Sequence, residues 1–170
     1  IIGYAFATPG QEPIYLPIAH RGGGNMDPAR VSQWVEDHLQ SPGTAIAHNA
    51  AYELGWFIAA GHKKPVRRFY DTMHMAALVD EDRRSYSLDA VSFDLLGRRK
   101  DEAELKRAAA HFKIDPKSEM YLLHSSHVGD YGREDADLCL HDFLKLEEII
   151  DRDGLRYVLE LETDLLPMFV

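Results

Sequence analysis

Cysteine is nearly missing: Cys139 stands alone among 170 residues. No internal disulfide can form, and neither can a cysteine-based zinc cluster. Long apolar runs are missing as well. None approaches the roughly 20 residues that span a bilayer. The amino terminus has neither the basic region nor the cleavage site of a secretory signal. A reducing, intracellular setting with no membrane partner is the expectation. Positive charge is scarce: 19 Lys and Arg face 28 Asp and Glu, for a formal net charge of −9. That argues against coating nucleic acid by bulk attraction, though not against a local grip on a strand. The basic residues gather in mid-chain, from Lys63, Lys64, Arg67 and Arg68 through Arg83, Arg84, Arg98, Arg99 and Lys100 to Lys106 and Arg107. Such a cluster is more often a solvated face than a binding site. Internal repeats and low-complexity segments are absent.

What is present suits one soluble α/β domain: 45% hydrophobic and 28% charged residues, on a chain long enough for a core. Residues 1–7 read as a strand, Pro9-Gly10 as a turn and residues 14–18 as the returning strand, with Pro17 suggesting an edge. Gly22-Gly23-Gly24 reads as a flexible loop; it lacks the lysine and helix context of a phosphate-binding loop. Asp27-Pro28 opens a helix with Val31, Trp34, Val35 and Leu39 at helical spacing. A short buried strand follows at 44–48, then a helix at 49–60 with Leu54, Phe57 and Ile58 inward. The next strand covers 66–70, and Asp71-Thr72 caps another helix. Beyond it the chain is helical. Ser85 or Ser87 starts a helix that Gly97 ends; another covers 102–112; a long one runs from 128–129 to Asp153, where Gly154 ends it, with Leu140, Phe143, Leu144, Ile149 and Ile150 as its apolar stripe; a last one covers 155–169. Strands alternating with helices predict a sheet with parallel members and helices packed on it.

Two short stretches carry chemistry. In Tyr131-Gly132-Arg133-Glu134-Asp135, Tyr131 and Asp135 are four apart and share a helical face. A carboxylate there can bind a hard cation and a phenol can position a water. Asp137 points about 200° away and is not an equivalent ligand. The alternative is an acidic helix start favoured by the macrodipole. The second stretch is His48-Asn49-Ala50-Ala51-Tyr52-Glu53, where a strand ends and a helix begins. Open α/β sheets place ligands beyond such strand ends. Asn49 can hydrogen-bond sugar or phosphate, and Glu53 can ligate or orient a metal-bound water. Equally, Asn49 can be an N-cap and Glu53 a first-turn acid.

Taken together and in order, these stretches resemble the proofreading 3′–5′ exonuclease domain of family A DNA polymerases, most closely the phage-type members. That domain is in the tyrosine branch of the DEDD exonuclease superfamily. Asn49-Ala50-Ala51-Tyr52-Glu53 is similar to the family's Asn-x-x-(Phe/Tyr)-Asp, and 131–135 to its Tyr-x-x-x-Asp. Asp71-Thr72-Met73 and Arg84 to Asp89 are similar to the segment between them, and Tyr15 to Gly23 to the segment after the first motif. The resemblance implies an RNase H-like (DnaQ-like) fold, a mixed sheet with flanking helices. It implies 3′–5′ exonuclease action on the 3′ end of single-stranded DNA, for proofreading, with two divalent cations, Mg²⁺ or Mn²⁺, roughly 3.5–4 Å apart. Asp135 would ligate the cation that activates water, Tyr131 would orient that water, and Glu53 would hold the second cation. His48, Asn49 and Tyr52 would seat the terminal nucleotide. Asp71 matches an aspartate that serves the fold. Trp56 and Phe57 could stack on a base but follow core spacing. The other histidines, His20 among them, show no ligand spacing. Residues 1–154 would be the exonuclease domain and 155–170 a helix leading to a polymerase domain in cis, in the cytoplasm of a bacterial or phage-infected cell. No specific protein partner is evident.

Two departures stand out. The family's Asp-x-Glu on the opening strand is absent, and so is that central first strand, whose loss would leave a gap between the hairpin and the strand at 44–48. The ends, Ile1-Ile2 and Phe169-Val170, read as cut from something longer; roughly 10–20 further residues would restore the strand. The 170 residues alone should then be nearly inert. Glu53 also replaces an aspartate, shifting the carboxylate by about 1 Å, a displacement that can cost on the order of 100-fold in rate. These departures motivate an alternative, a catalytically inactive module that supports a polymerase or binds single-stranded DNA. A further alternative is an RNA 3′–5′ exonuclease of the same branch.

Overall fold

The computed structural model describes residues 1–170. In chain order the elements are β1 (Gly3–Phe6), β2 (Ile14–Pro17), α1 (Pro28–Gln40), β3 (Thr44–Ala47), α2 (Ala50–Ala59), β4 (Arg68–Asp71), α3 (Thr72–Val79), α4 (Leu88–Leu96), α5 (Ala103–Phe112), α6 (Gly129–Arg152) and α7 (Arg156–Leu165), with short 3₁₀ turns at Met120–Leu122, Ser125–His127 and Leu166–Met168. The class is α/β. The chain divides into two compact units, residues 1–34 with 100–137 and residues 35–99 with 138–170. No helix is long and apolar enough to cross a membrane.

In the first unit β1 and β2 pair antiparallel, Gly3 opposite Pro17 and Phe6 opposite Ile14. The hairpin turns through Gly10 at φ 75°. Leu105, Ala108, Leu123 and Val128 form the core, with Tyr15, Ile114, Met120 and Tyr131 packed against it. His20 is buried. The Leu123 carbonyl lies 3.1 Å from its Nδ1 and can only accept, so Nδ1 carries the proton and Nε2 accepts from the Tyr15 hydroxyl at 2.7 Å. The glycine run after it is packed rather than loose. A Cβ on Gly22 would lie 2.2 Å from the His124 nitrogen, and Ser125 closes the contact with bonds to Gly23 O and Gly24 O. Absence of side chains here allows close backbone approach.

In the second unit β3 and β4 pair in parallel, Thr44 opposite Arg68 and Ala47 opposite Asp71. Met75, Ala76, Val91, Phe143, Leu146, Ile150 and Leu159 make its main core. Arg68 bridges Glu160 and Asp164 of α7, and the Tyr70 hydroxyl donates to Glu160 at 2.8 Å, so α7 is tied to β4. Gly97 at φ 67° and Gly154 at φ 72° end α4 and α6 as expected.

The four strands form two separate two-stranded ladders, one in each unit, so the mixed sheet is interrupted between the hairpin and the strand at 44–47, the gap expected where the central first strand is missing. The structure corrects several expectations. Each strand is four residues long. On α6 it is Leu146 that is buried, while Leu144 is exposed; positions 143, 146 and 150 keep one face at helical spacing. On α2 only Leu54 of the expected inward trio is buried. Phe57 is half-buried, Ile58 is exposed, and Trp56, expected in the core, is 46% exposed. Val66 is exposed and lies outside β4.

Candidate active site

In the first unit the site is built on the opening turns of α6. Tyr131 and Asp135 lie one turn apart on that helix and both are half-buried. Helical geometry therefore gives them the common face their spacing predicts. Gly132, between them, faces Tyr15: a Cβ there would fall 2.9 Å from the Tyr15 ring. A larger residue would push α6 off the hairpin.

The unforeseen member is Lys100. Its ammonium lies 2.7 Å from Asp135 Oδ1, with the lysine side chain only 16% exposed and the aspartate 31%. The same nitrogen sits 5.3 Å from the Tyr131 ring centroid, a cation–π distance. Asp135 Oδ1 is buried, and the contact is a close ion pair. Burial pushes the Asp135 carboxyl above its usual range, and Lys100 opposes that push without reversing it. Burial also tends to lower Lys100, but the Asp135 charge and Tyr131 outweigh it and hold the ammonium charged. Burial, then the Asp135 charge, raises the Tyr131 phenol, which stays protonated near neutral pH. The Lys100 loop is tethered to the same helix, because the Asp101 backbone N–H donates to Glu134 Oε2 at 2.6 Å.

In the second unit the site lies at the carboxyl end of β3. Asp71, buried at 4% exposure, organises it. Its Oδ1 accepts from the Asn49 and Met73 backbone N–H groups and its Oδ2 from that of Ala50, all at 2.7–2.9 Å. One carboxylate thus caps the starts of both α2 and α3, a fuller version of the expected cap. Asn49 is not a side-chain cap. It precedes α2 in the left-handed region, at φ 63° and ψ 58°, with no capping bond from its side chain. Asn is among the few non-glycine residues that tolerate this conformation. His48 lies between Thr72 Oγ1 and the Tyr86 carbonyl, 2.9 Å from each. A carbonyl only accepts, so Nε2 carries the proton. Its imidazole is thereby committed to holding the turn. Glu53 is exposed in the first turn of α2. Tyr52 is exposed too, and its ring meets that of Trp56 edge to face at 6.0 Å. Behind the turn Cys139 is buried 3.8 Å from Thr72 Oγ1, its thiol pushed by burial up to about 12 and therefore inert as a nucleophile.

Of the residues singled out from sequence, Tyr131 and Asp135 come together in the first unit, and His48, Asn49, Tyr52 and Glu53 in the second. Asp135 offers hard-oxygen donors, one of them paired with the Lys100 ammonium. Glu53 is a second hard-oxygen donor. Nowhere, however, do three or more His, Cys, Asp or Glu side chains group as metal ligands. The residues present supply single carboxylates and not a complete donor set. In sequence Lys100 is hidden within a basic cluster, and its one signal is its place just beyond the helix-ending Gly97.

No protein-family model matches the chain. It is 35% identical over 170 residues, 99% of its length, to a DNA-directed DNA polymerase of Pseudomonas phage M6. It is 26% identical over 187 aligned positions, which take in the whole chain, to the DNA polymerase DpoZ of Vibrio phage phiVC8. The chain spans about a quarter of the length of these relatives, 26% and 28% respectively. It is related in sequence to one region of phage DNA polymerases.

Proposed function

We propose that this chain is the 3′–5′ exonuclease region of a DNA polymerase, RNase H-like in fold, which removes the 3′-terminal nucleotide of single-stranded DNA. The observation that carries the reading is the similarity of almost the whole chain to phage DNA polymerases, combined with the pairing of Tyr131 and Asp135 on one face of α6. The polymerase domain would lie in cis, with residues 155–170 leading towards it.

Divalent cations, Mg²⁺ or Mn²⁺, would supply Lewis acidity and a nucleophilic hydroxide at neutral pH. Asp135 would hold one cation and Glu53 the other, and further ligands must come from outside these side chains. Tyr131, protonated near neutral pH, offers both a hydroxyl proton and an acceptor oxygen with which to orient a water. Tyr52 and Asn49 are exposed at the start of α2, where they can meet a nucleotide. His48 and Asp71 fix the turn that presents them.

A second reading is a module that holds single-stranded DNA without cutting it. The missing three-ligand group and the lysine already seated on Asp135 favour it. The two part in one assay. The polymerase that contains this chain is given Mn²⁺ and a single strand labelled at its 5′ end. The exonuclease reading expects a ladder of products shortened one nucleotide at a time from the 3′ end, abolished by a chelator. Binding without shortening overturns it in favour of the second.

A further inference from the structure

We propose that the groove between α5 and the turn that precedes α6 binds one nucleotide unit of single-stranded DNA, with the base stacked on Phe112 and the neighbouring phosphate held by Arg107. The choice of DNA as ligand rests on the exonuclease reading; the groove itself rests on geometry. It lies wholly within the first unit.

The groove has a volume of about 370 Å³, inside the range of roughly 300–1,000 Å³ typical of small-ligand sites. Glu104, Arg107, Ala108 and His111 line it from one face of α5, joined by Phe112 at the end of that helix. His127 lines it from the turn before α6. Glu104 braces the groove across its width. Its Oε1 accepts from His127 Nδ1 at 2.9 Å and its Oε2 from Arg107 at 2.7 Å. The His127 bond, then the Arg107 charge, holds the Glu104 carboxyl below its usual range, so it stays ionised and keeps both partners.

The chemistry of the lining matches a nucleotide. A base needs a flat apolar surface to stack on. The Phe112 ring supplies one: it is 57% exposed, and His111 steadies it with an edge-to-face contact at 4.9 Å. A phosphate needs a cation with donors to spare. Arg107 reaches solvent at 76% exposure, and with one nitrogen on Glu104 its guanidinium keeps further N–H groups for phosphate oxygens. Lys106 and Lys113 lie beside it in sequence, so this short stretch is basic in a chain of net charge −9. A chain without bulk attraction for DNA depends on local grips of this kind. His127 stands four residues before Tyr131, on the turn that leads into α6. The groove thus adjoins the helix start that carries Tyr131 and Asp135, where a nucleotide preceding the 3′ end can reach it.

The test follows binding of a fluorescein-labelled oligothymidylate to the 170-residue chain by fluorescence anisotropy, with a chelator present so that no strand is cut. Phe112→Ala and Phe112→Leu should each weaken binding at least about fivefold, and Phe112→Trp should bind as well as the parent, because stacking needs a π face and not mere apolar bulk. Arg107→Ala should weaken binding and lower the slope of log affinity against log salt by about 0.7, the value for one lost contact to a single strand. Arg152→Ala removes the same charge from an exposed place at the end of α6 and should stay within about twofold of the parent. Phe112 and Arg107 are both exposed, so these variants keep the fold. Equal losses in Arg107→Ala and Arg152→Ala overturn the proposal, as do unchanged binding in Phe112→Ala and a parent chain that binds no strand. Free thymidine monophosphate competing as strongly as the unlabelled strand assigns the groove to a free nucleotide and overturns it as well. The outcome is separable from that of the nuclease reading. Weaker binding in the groove variants with no strand shortening by the polymerase sinks the nuclease and leaves the groove. Shortening with binding indifferent to Phe112 and Arg107 does the reverse.

Discussion

Asp71 Oδ1 accepts the Asn49 backbone N–H at 2.9 Å, and so ties the end of β4 to the turn that follows β3. The same carboxylate holds Ala50 and Met73. Two helix starts depend on one buried side chain. Asp71→Ala would leave three N–H groups without their acceptor. Bonds to a charged acceptor contribute about 1.5–3 kcal/mol each and are not additive, so a loss of about 3–5 kcal/mol is expected in urea unfolding. Asp71→Asn keeps one acceptor oxygen and should lose roughly half of that. A loss within about 0.5 kcal/mol for Asp71→Ala would show that the cap is not what holds the turn.

Glycines divide sharply by environment. A Cβ at Gly22 meets the His124 and Leu123 backbone at 2.2–2.4 Å, which cannot yield as a side-chain tip can. Gly22→Ala should destabilise by at least about 1–3 kcal/mol. Gly55, inside α2, has nothing within 4 Å of its Cβ position, and Gly55→Ala should stabilise by about 0.5–1 kcal/mol through lower chain entropy in the unfolded state. Paired thermal melts decide it. Equal effects in the two variants would contradict the packing described for the 22–24 loop.

Much of this was legible in the sequence, and the rest was not, for identifiable reasons. Helix ends marked by Gly97, Gly154 and Asp71 fell where local chemistry puts them. The Tyr131–Asp135 face followed from helical spacing alone. Periodicity tells which side of a helix is apolar but not whether anything covers it, so Trp56 and Ile58 read as inward and are exposed. Strand pairing is a long-range choice, yet the break between the hairpin and the 44–47 strand follows from the missing central first strand. Lys100 is the clearest case. Its role depends on a loop crossing to a helix 35 positions later, which no local pattern encodes.

Asp142 gives the fold a pH signature. It is fully buried, and Ser92 Oγ donates to its Oδ2 at 2.6 Å while Oδ1 has no hydrogen-bond partner. Burial drives its carboxyl up to about 6, against the opposing pull of Ser92, Arg83, Arg98 and His141. A raised folded-state pKa means the proton is bound more tightly in the folded chain. The stability it contributes is fully present below the unfolded value of 3.8 and is lost as pH rises through about 6. Asp142→Asn removes the cost of ionising this group and should be more stable than the parent at neutral pH by roughly 1–3 kcal/mol. The gap should close as pH falls from about 7 to 4. A gap independent of pH would mean that Asp142 does not titrate in this range.

If the Asp135 carboxylate serves hydrolysis at a 3′ end, Asp135→Ala in the full polymerase removes that hydrolysis. Single-stranded DNA is followed from its 3′ terminus in Mn²⁺, with polymerisation on a primed template measured in parallel and Glu53→Asp alongside. The expected result is a fall in 3′ cleavage of at least about 100-fold for Asp135→Ala, polymerisation retained, and cleavage equal or faster for Glu53→Asp. Cleavage by Asp135→Ala at the parent's rate would contradict the account.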